Sequence, residues 1–152
     1  MTPLAKRIII GVVAVVLLVV IAIGILIGAS VIGWKSALRS GNEAATIQNL
    51  GTIAAVEIQY YNAHSRNFGT FEQLVQDGFD ARFSGNPPVV DGYVFTLKLV
   101  PKTASQASSY KLNADPESSS SGKNHFYLES ADGVIRVNAD HPAGPDDPAL
   151  AP

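Results

Sequence analysis

The stretch SGNEAATIQNLGTIAAVEIQYYNAH, residues 40–64, decides how the rest of the chain is read. It follows a long apolar run and is either a spacer or part of a folded domain. Apolar side chains fall at Ile47, Leu50, Ala54, Ile58 and Tyr61, in steps of three, four, four and three. Such steps place them on one stripe of an α-helix. Ile53, Val56 and Tyr60 widen the stripe on one flank. A spacer has no use for an apolar stripe, so this helix is expected to cover the core of a domain. Ser40-x-x-Glu43 has the form of a capping box, which either starts a second helix at Asn42 or lies inside one continuous helix. Glu57 is expected on the solvent flank, and Tyr60 and Tyr61 in core packing.

Upstream, residues 8–33 read IIIGVVAVVLLVVIAIGILIGASVIG, 26 residues without a charge. As a helix this run is roughly 39 Å long, against a hydrocarbon core of about 30 Å. It is far longer than the apolar part of a signal peptide. The expectation is a short tail at 1–7 and a transmembrane helix at 8–34. Lys6 and Arg7 would mark one membrane interface, and Trp34 with Lys35 the other. The flanking cations are balanced. The free amino terminus tips the orientation toward N-terminus inside, with the folded mass on the outer side.

Charge is segregated. Residues 1–41 hold four Lys/Arg and no acid, while residues 42–152 hold seven Lys/Arg and thirteen Asp/Glu, a net of −6. That balance disfavours nucleic acid, and also anionic lipid headgroups, as partners of the domain. There is no cysteine, which removes disulfides, thiol catalysis and thiolate metal sites.

Beyond residue 64, NAHSRNFG at 62–69 reads as a turn. Thr70-x-x-Gln73 opens a short helix that Gly78 stops. SGNPPVVDG at 84–92 reads as loop. Alternation in YVFTLKLV at 93–100 and YKLNA at 110–114 predicts strands. HFYLES and VIRVN flank Ala131-Asp132-Gly133, a hairpin signal. The last stretch, 142–152, is rich in Pro, Asp and Ala and is expected to have no stable structure of its own. The fold class is therefore α+β: an amphipathic helix packed on a small antiparallel sheet of three or four strands, over residues 42–141.

This order resembles a known family. The apolar helix running into NEAATIQNLGTIAAVEIQYYNAH, the FGTFEQLVQDGF segment, and GYVFTLKLV, YKLNADP and HFYLESADGVIRVN in succession are similar to type IV pilins and type II secretion pseudopilins. The resemblance covers roughly residues 8–140. It implies a structural subunit of the bacterial inner membrane, single-pass, with a periplasmic or extracellular domain. Its partners would be the lipid bilayer and, through the N-terminal helix, copies of itself or other pilin-like subunits. Family members carry a glutamate five residues after a processed glycine. Here the glycines at 11, 24, 28 and 33 are followed at that offset by Val16, Ala29, Gly33 and Leu38, and the first acid is Glu43. The departure implies an ordinary uncleaved anchor, and with it the alternative of a membrane-anchored binding module that does not polymerise.

No catalytic constellation is legible, so the chain is expected not to be an enzyme and to carry no cofactor or metal. Serines 118–121 form a linker run without a Gly-x-Ser-x-Gly motif. His64, His125 and His141 lack ligand spacing and are expected on the surface. Some pseudopilins bind calcium through late aspartates. Asp132, Asp140, Asp146 and Asp147 are spread over 16 residues with prolines between them, which does not resemble a closed oxygen cage.

Overall fold

The computed structural model describes residues 3–151, with side chains described at 17, 18, 20 and 21 and from residue 33 onward. The chain divides into two compact units, Met1–Ala37 and Leu38–Pro152. In the first, Lys6, Arg7 and most of the apolar run at 8–34 lie outside the residues whose side chains are described. Among the described residues no helix is long and apolar enough to cross a membrane. Leu17, Leu18, Val20, Ile21 and Trp34 are each more than half exposed, and Lys35 is exposed beside Trp34.

The second unit is an α+β domain. Its elements are the C-terminal part of α1 (Pro3–Ala63), α2 (Phe71–Gln76), a 3-10 turn (Ala81–Ser84) and five strands. These are β1 (Val89–Val90), β2 (Tyr93–Val100), β3 (Ser109–Pro116), β4 (His125–Glu129) and β5 (Arg136–Asn138). Every neighbouring pair is antiparallel, in the order β1-β2-β3-β4-β5. The strands follow one another as a meander, with longer loops at 101–108 and 117–124 and turns at Asp91-Gly92 and Asp132-Gly133. The one at Asp132-Gly133 has Gly133 at φ 66° and the Asp132 carboxylate accepting from Val134 N–H at 3.0 Å.

Helix α1 passes through Asn42 without a break, so Ser40-x-x-Glu43 lies inside it. It ends where Ser65 and Arg66 turn left-handed, at φ 54° and 63°, and Arg66 N–H reaches back to Tyr61 O at 3.0 Å. Thr70 caps α2, with reciprocal bonds between Thr70 and Gln73, and Gly78 at φ 100° leads the chain away from it.

Strand register puts one apolar set on the helix side. Phe95 lies opposite Ala114, Leu97 opposite Leu112, and Ala114 and Leu112 opposite Phe126 and Leu128. Leu50 and Ile53 of α1 are fully buried in that core, with Leu74 of α2 and Phe83 of the 3-10 turn. Each fully buried aliphatic side chain of this kind contributes about 1.5–3 kcal/mol.

Three differences from the sequence reading are structural. Residues 84–92 are not all loop: β1 pairs with the start of β2, through Val89 with Val94 and Val90 with Tyr93. The 142–152 stretch is not without structure. Val137 N–H donates to Pro148 O at 3.0 Å and Leu150 N–H to Ile135 O at 2.8 Å, so the stretch borrows the outer edge of β5. Ala143 is buried, and its carbonyl accepts from Asn113 Nδ2 at 2.8 Å on the sheet face turned away from Leu112 and Ala114. Composition hides this, because the ordering comes from a neighbouring strand and not from the tail's own residues. The third difference concerns α1 and is taken up next.

Candidate interaction surface on the long helix

The residues of α1 turned fully into the domain are Thr46, Leu50, Ile53 and Glu57. Of the stripe read from the sequence, Leu50 is buried, Ile47 and Ala54 are partly buried against the core, and Tyr61 is half-buried. Ile58 is not in the helix–sheet core, being 57% exposed. Glu57 is not on the solvent flank, being fully buried. The stripe is rotated by about one residue because two of its members are polar.

The opposite face of α1 carries Gly41, Ala44, Gln48, Gly51, Ala55, Ile58 and Asn62, all exposed. Their steps alternate strictly between three and four, the spacing of a helix–helix seam. A Cβ at Gly41 or Gly51 would meet nothing within 4 Å. Between residues 40 and 63 the only charged side chains are Glu43 and Glu57, and both are engaged with the domain. The exposed face is therefore small, smooth and uncharged over about six turns.

Two glutamates hold this helix to the rest of the domain. Glu43 Oε1 accepts from Lys123 N–H at 2.8 Å and Asn124 N–H at 3.3 Å, and Oε2 accepts from Asn124 Nδ2 at 2.7 Å. Asn42 Nδ2 adds a bond to Ser121 O at 2.9 Å. The same loop is pinned from below, where Tyr93 Oη donates to Asn124 O at 2.9 Å. Gly122 packs so closely on Tyr93 that a Cβ would overlap its hydroxyl and ring. At the other end, Glu57 Oε2 accepts from Gly69 N–H at 2.9 Å, while Oε1 has no partner. Burial pushes the Glu57 carboxyl up to about 7, opposed only in part by the Gly69 N–H. On β3, burial and then the Glu57 charge push Tyr110 up to about 12.

Several polar groups elsewhere pair with one another, while the buried Thr46 Oγ1 and Arg136 Nε have no partner. Asp80 and Asp91 both face Arg82, at 2.8 and 3.4 Å, and Asn49 Nδ2 donates to Asp91 at 3.0 Å. The carboxyl of Asp80 is held below its usual value by Arg82, first through its backbone N–H. Of the late aspartates, Asp147 accepts from Asn138 Nδ2 at 2.7 Å and Gly144 N–H at 2.8 Å, and Asp132 pairs with Arg136. Among the described residues no group of three or more His, Asp or Glu is placed to hold a metal ion. His64 stacks on Tyr60 with ring centroids 3.8 Å apart, and His125 Nδ1 lies 2.6 Å from Asp115 Oδ1. A surface cleft of about 600 Å³ runs between Thr70–Glu72, the Ser84–Pro88 turn and Phe95–Leu97, and has no paired acid and base in its lining.

Set against known proteins, the chain matches no family model, no curated protein and no solved structure.

Proposed function

We propose that the chain is a non-catalytic, pilin-like structural subunit. In this reading the run at 8–34 anchors it in a bacterial inner membrane, and the domain lies on the outer side. It assembles with copies of itself or with other pilin-like subunits by packing the exposed face of α1 against a neighbouring helix. The observation that carries this reading is the uncharged seam from Gly41 to Asn62. A helix face kept for water normally carries charge, and the domain is not short of it. Exposed Leu17, Leu18, Val20 and Ile21 support an apolar environment for the preceding segment.

A second reading keeps the domain and anchor but has no polymer. It is favoured by Glu43, the first acid of the chain, whose two carboxylate oxygens are both taken up inside the domain. That leaves no free carboxylate near the apolar run to guide an incoming subunit.

Cysteine cross-linking separates the two, because the chain has no native cysteine. Ala55→Cys or Gly51→Cys in the full chain, oxidised in membranes, is expected to give disulfide-linked dimers. Lys111→Cys on the exposed surface of β3 is the control. Seam positions that cross-link no more than the control would remove the assembly reading and leave the anchored module. Mass spectrometry of the membrane-bound chain, showing whether the N-terminus is intact, completes the test.

A further inference from the structure

A second feature of the domain has the opposite character to the seam. A surface cleft of about 420 Å³ is lined by Arg39 from α1, by Ser118, Ser119, Gly122 and Lys123 from the β3–β4 loop, and by His125 at the start of β4. Its three basic side chains come from separate elements. Their convergence is built in. Glu43, one turn after Arg39, accepts the Lys123 and Asn124 amides, so the loop carrying Lys123 is fixed beside the helix turn carrying Arg39. Gly122 packs against Tyr93 with no room for a Cβ, and Tyr93 Oη donates to Asn124 O at 2.9 Å, which holds the loop from its other side.

The nearby acids do not form ion pairs with the two permanent cations. Asp115 faces His125 Nδ1 at 2.6 Å, and the Glu43 oxygens are engaged by two amides and the Asn124 side chain. Among the described residues neither Arg39 nor Lys123 is in an ion pair. Residues 42–152 carry a net of −6, so acids to pair them are plentiful. Arg39 and Lys123 are both exposed and line one cleft, where an anion can meet both.

We propose that this cleft binds the phosphate headgroup of an anionic phospholipid in the membrane that holds the anchor; the proposal rests on the anchored reading above. The phosphodiester of an anionic phospholipid presents several acceptor oxygens and one negative charge that no headgroup cation balances, as choline balances it in phosphatidylcholine. Arg39 supplies a planar fork of donors, Lys123 a mobile point charge and the Ser119 hydroxyl a neutral donor, while Ser118 Oγ is engaged with Ser120 Oγ at 2.8 Å and Ser121 Oγ at 3.0 Å. Arg39 comes six residues after Gly33, the last residue of the apolar run. Chain connectivity alone keeps the Arg39 backbone within about 20 Å of Gly33. The negative net charge of the domain opposes membrane approach at long range. The cleft thus acts at short range and orients the domain by one contact, where a broad basic face would hold it flat.

The test uses the full chain in nanodiscs of phosphatidylcholine, with and without phosphatidylglycerol. The readout is amide hydrogen exchange at Ser118–Gly122. Co-elution with the phosphatidylcholine discs reports anchoring independently. Exchange is expected to slow by about threefold to fivefold only in the phosphatidylglycerol discs, with each cation worth roughly fivefold in occupancy. Arg39→Gln with Lys123→Gln is expected to abolish the slowing, and Lys111→Gln to leave it. Equal exchange in the two kinds of disc overturns the headgroup proposal while leaving the anchor standing. Equal slowing by millimolar inorganic phosphate over phosphatidylcholine discs overturns it in favour of a free anion. A chain that does not co-elute with discs overturns the anchored reading and this proposal together.

Discussion

Glu43 and Glu57 stand fourteen residues apart on one helix, and both fasten that helix to the domain. Their surroundings differ in one respect that decides everything else. Glu43 is half-buried and meets three N–H donors, which between them engage both of its oxygens. Glu57 is fully buried and meets one donor, with Oε1 left alone. A carboxylate surrounded by donors is a fixed clamp. A carboxyl buried with one donor is a proton-holding group whose ionisation works against the fold. The same residue type therefore makes one end of the helix–domain joint rigid and the other end sensitive to pH.

The largest expected effect breaks the rigid end. Gly122→Ala places a methyl group in the Tyr93 hydroxyl and ring and displaces the bond from Tyr93 Oη to Asn124 O. The expected loss of stability is roughly 4 kcal/mol, combining overpacking with a lost buried hydrogen bond. Chemical denaturation of the full chain in detergent measures it. A loss below about 1 kcal/mol would mean that the loop yields, and that the Glu43 end is no stiffer than the Glu57 end.

Next comes the pH-sensitive end. The Glu57 carboxyl has an ordinary value of 4.5 and is raised to about 7 in the folded chain. Between those values the folded state keeps a proton that the unfolded state releases. Stability from this group is thus fully present below about pH 4.5 and is lost as pH rises to about 7. The loss is on the order of 3 kcal/mol. Glu57→Gln is expected to remove this dependence and to be the more stable protein at pH 8. A wild-type stability that stays level from pH 5 to 7, with the same profile in Glu57→Gln, would show that the carboxyl is not held in its protonated form and that Oε1 has found a donor.

A smaller effect belongs to Glu43→Ala. It takes the acceptor from the Lys123 and Asn124 amides at a site that water reaches, so the cost is about 1–2 kcal/mol. Faster exchange of those two amides, with the Gly69 amide unchanged, would locate the loss at this end alone.

How much of this was legible follows from which residues carry it. The sheet was readable because β2 and β3 alternate cleanly, and α2 because Thr70, Gln73 and Gly78 are local signals. The helix was readable as a helix and misread in rotation. Apolar counting selects Ile47, Ala54 and Ile58, whereas the buried line runs Thr46, Leu50, Ile53 and Glu57. No rule of periodicity assigns a glutamate to a core. Its one donor, the Gly69 N–H, is fixed only after the turn at residues 64–69 has folded back. Strand β1 was hidden among prolines and is two residues long. Of the candidate surface, Arg39 and Lys123 are visible in sequence, but the cleft that both line depends on Glu43 contacts 80 and 81 residues apart in the chain.

The smallest expected effect sharpens the comparison by one residue. Ile58 follows Glu57 directly, yet the glutamate is fully buried and the isoleucine is 57% exposed. An apolar side chain outside and an acid inside is the reverse of what burial energetics favours for an isolated domain. In Ile58→Ala the exposed side chain gives up little burial, and alanine is the better helix former by a few tenths of a kcal/mol. Stability of the unassembled chain should therefore stay within about 0.5 kcal/mol of the parent. A loss of about 2 kcal/mol or more would mean that Ile58 is packed in the core, and that the helix is turned as the apolar count suggests. In the proposed assembly the expectation differs, because Ile58 is the bulkiest residue of the seam. If helices meet along that face, Ile58→Ala lowers the yield of the Ala55→Cys cross-link while leaving the denaturation midpoint unchanged. If both stay unchanged, the exposed isoleucine has no partner and the seam is only a surface.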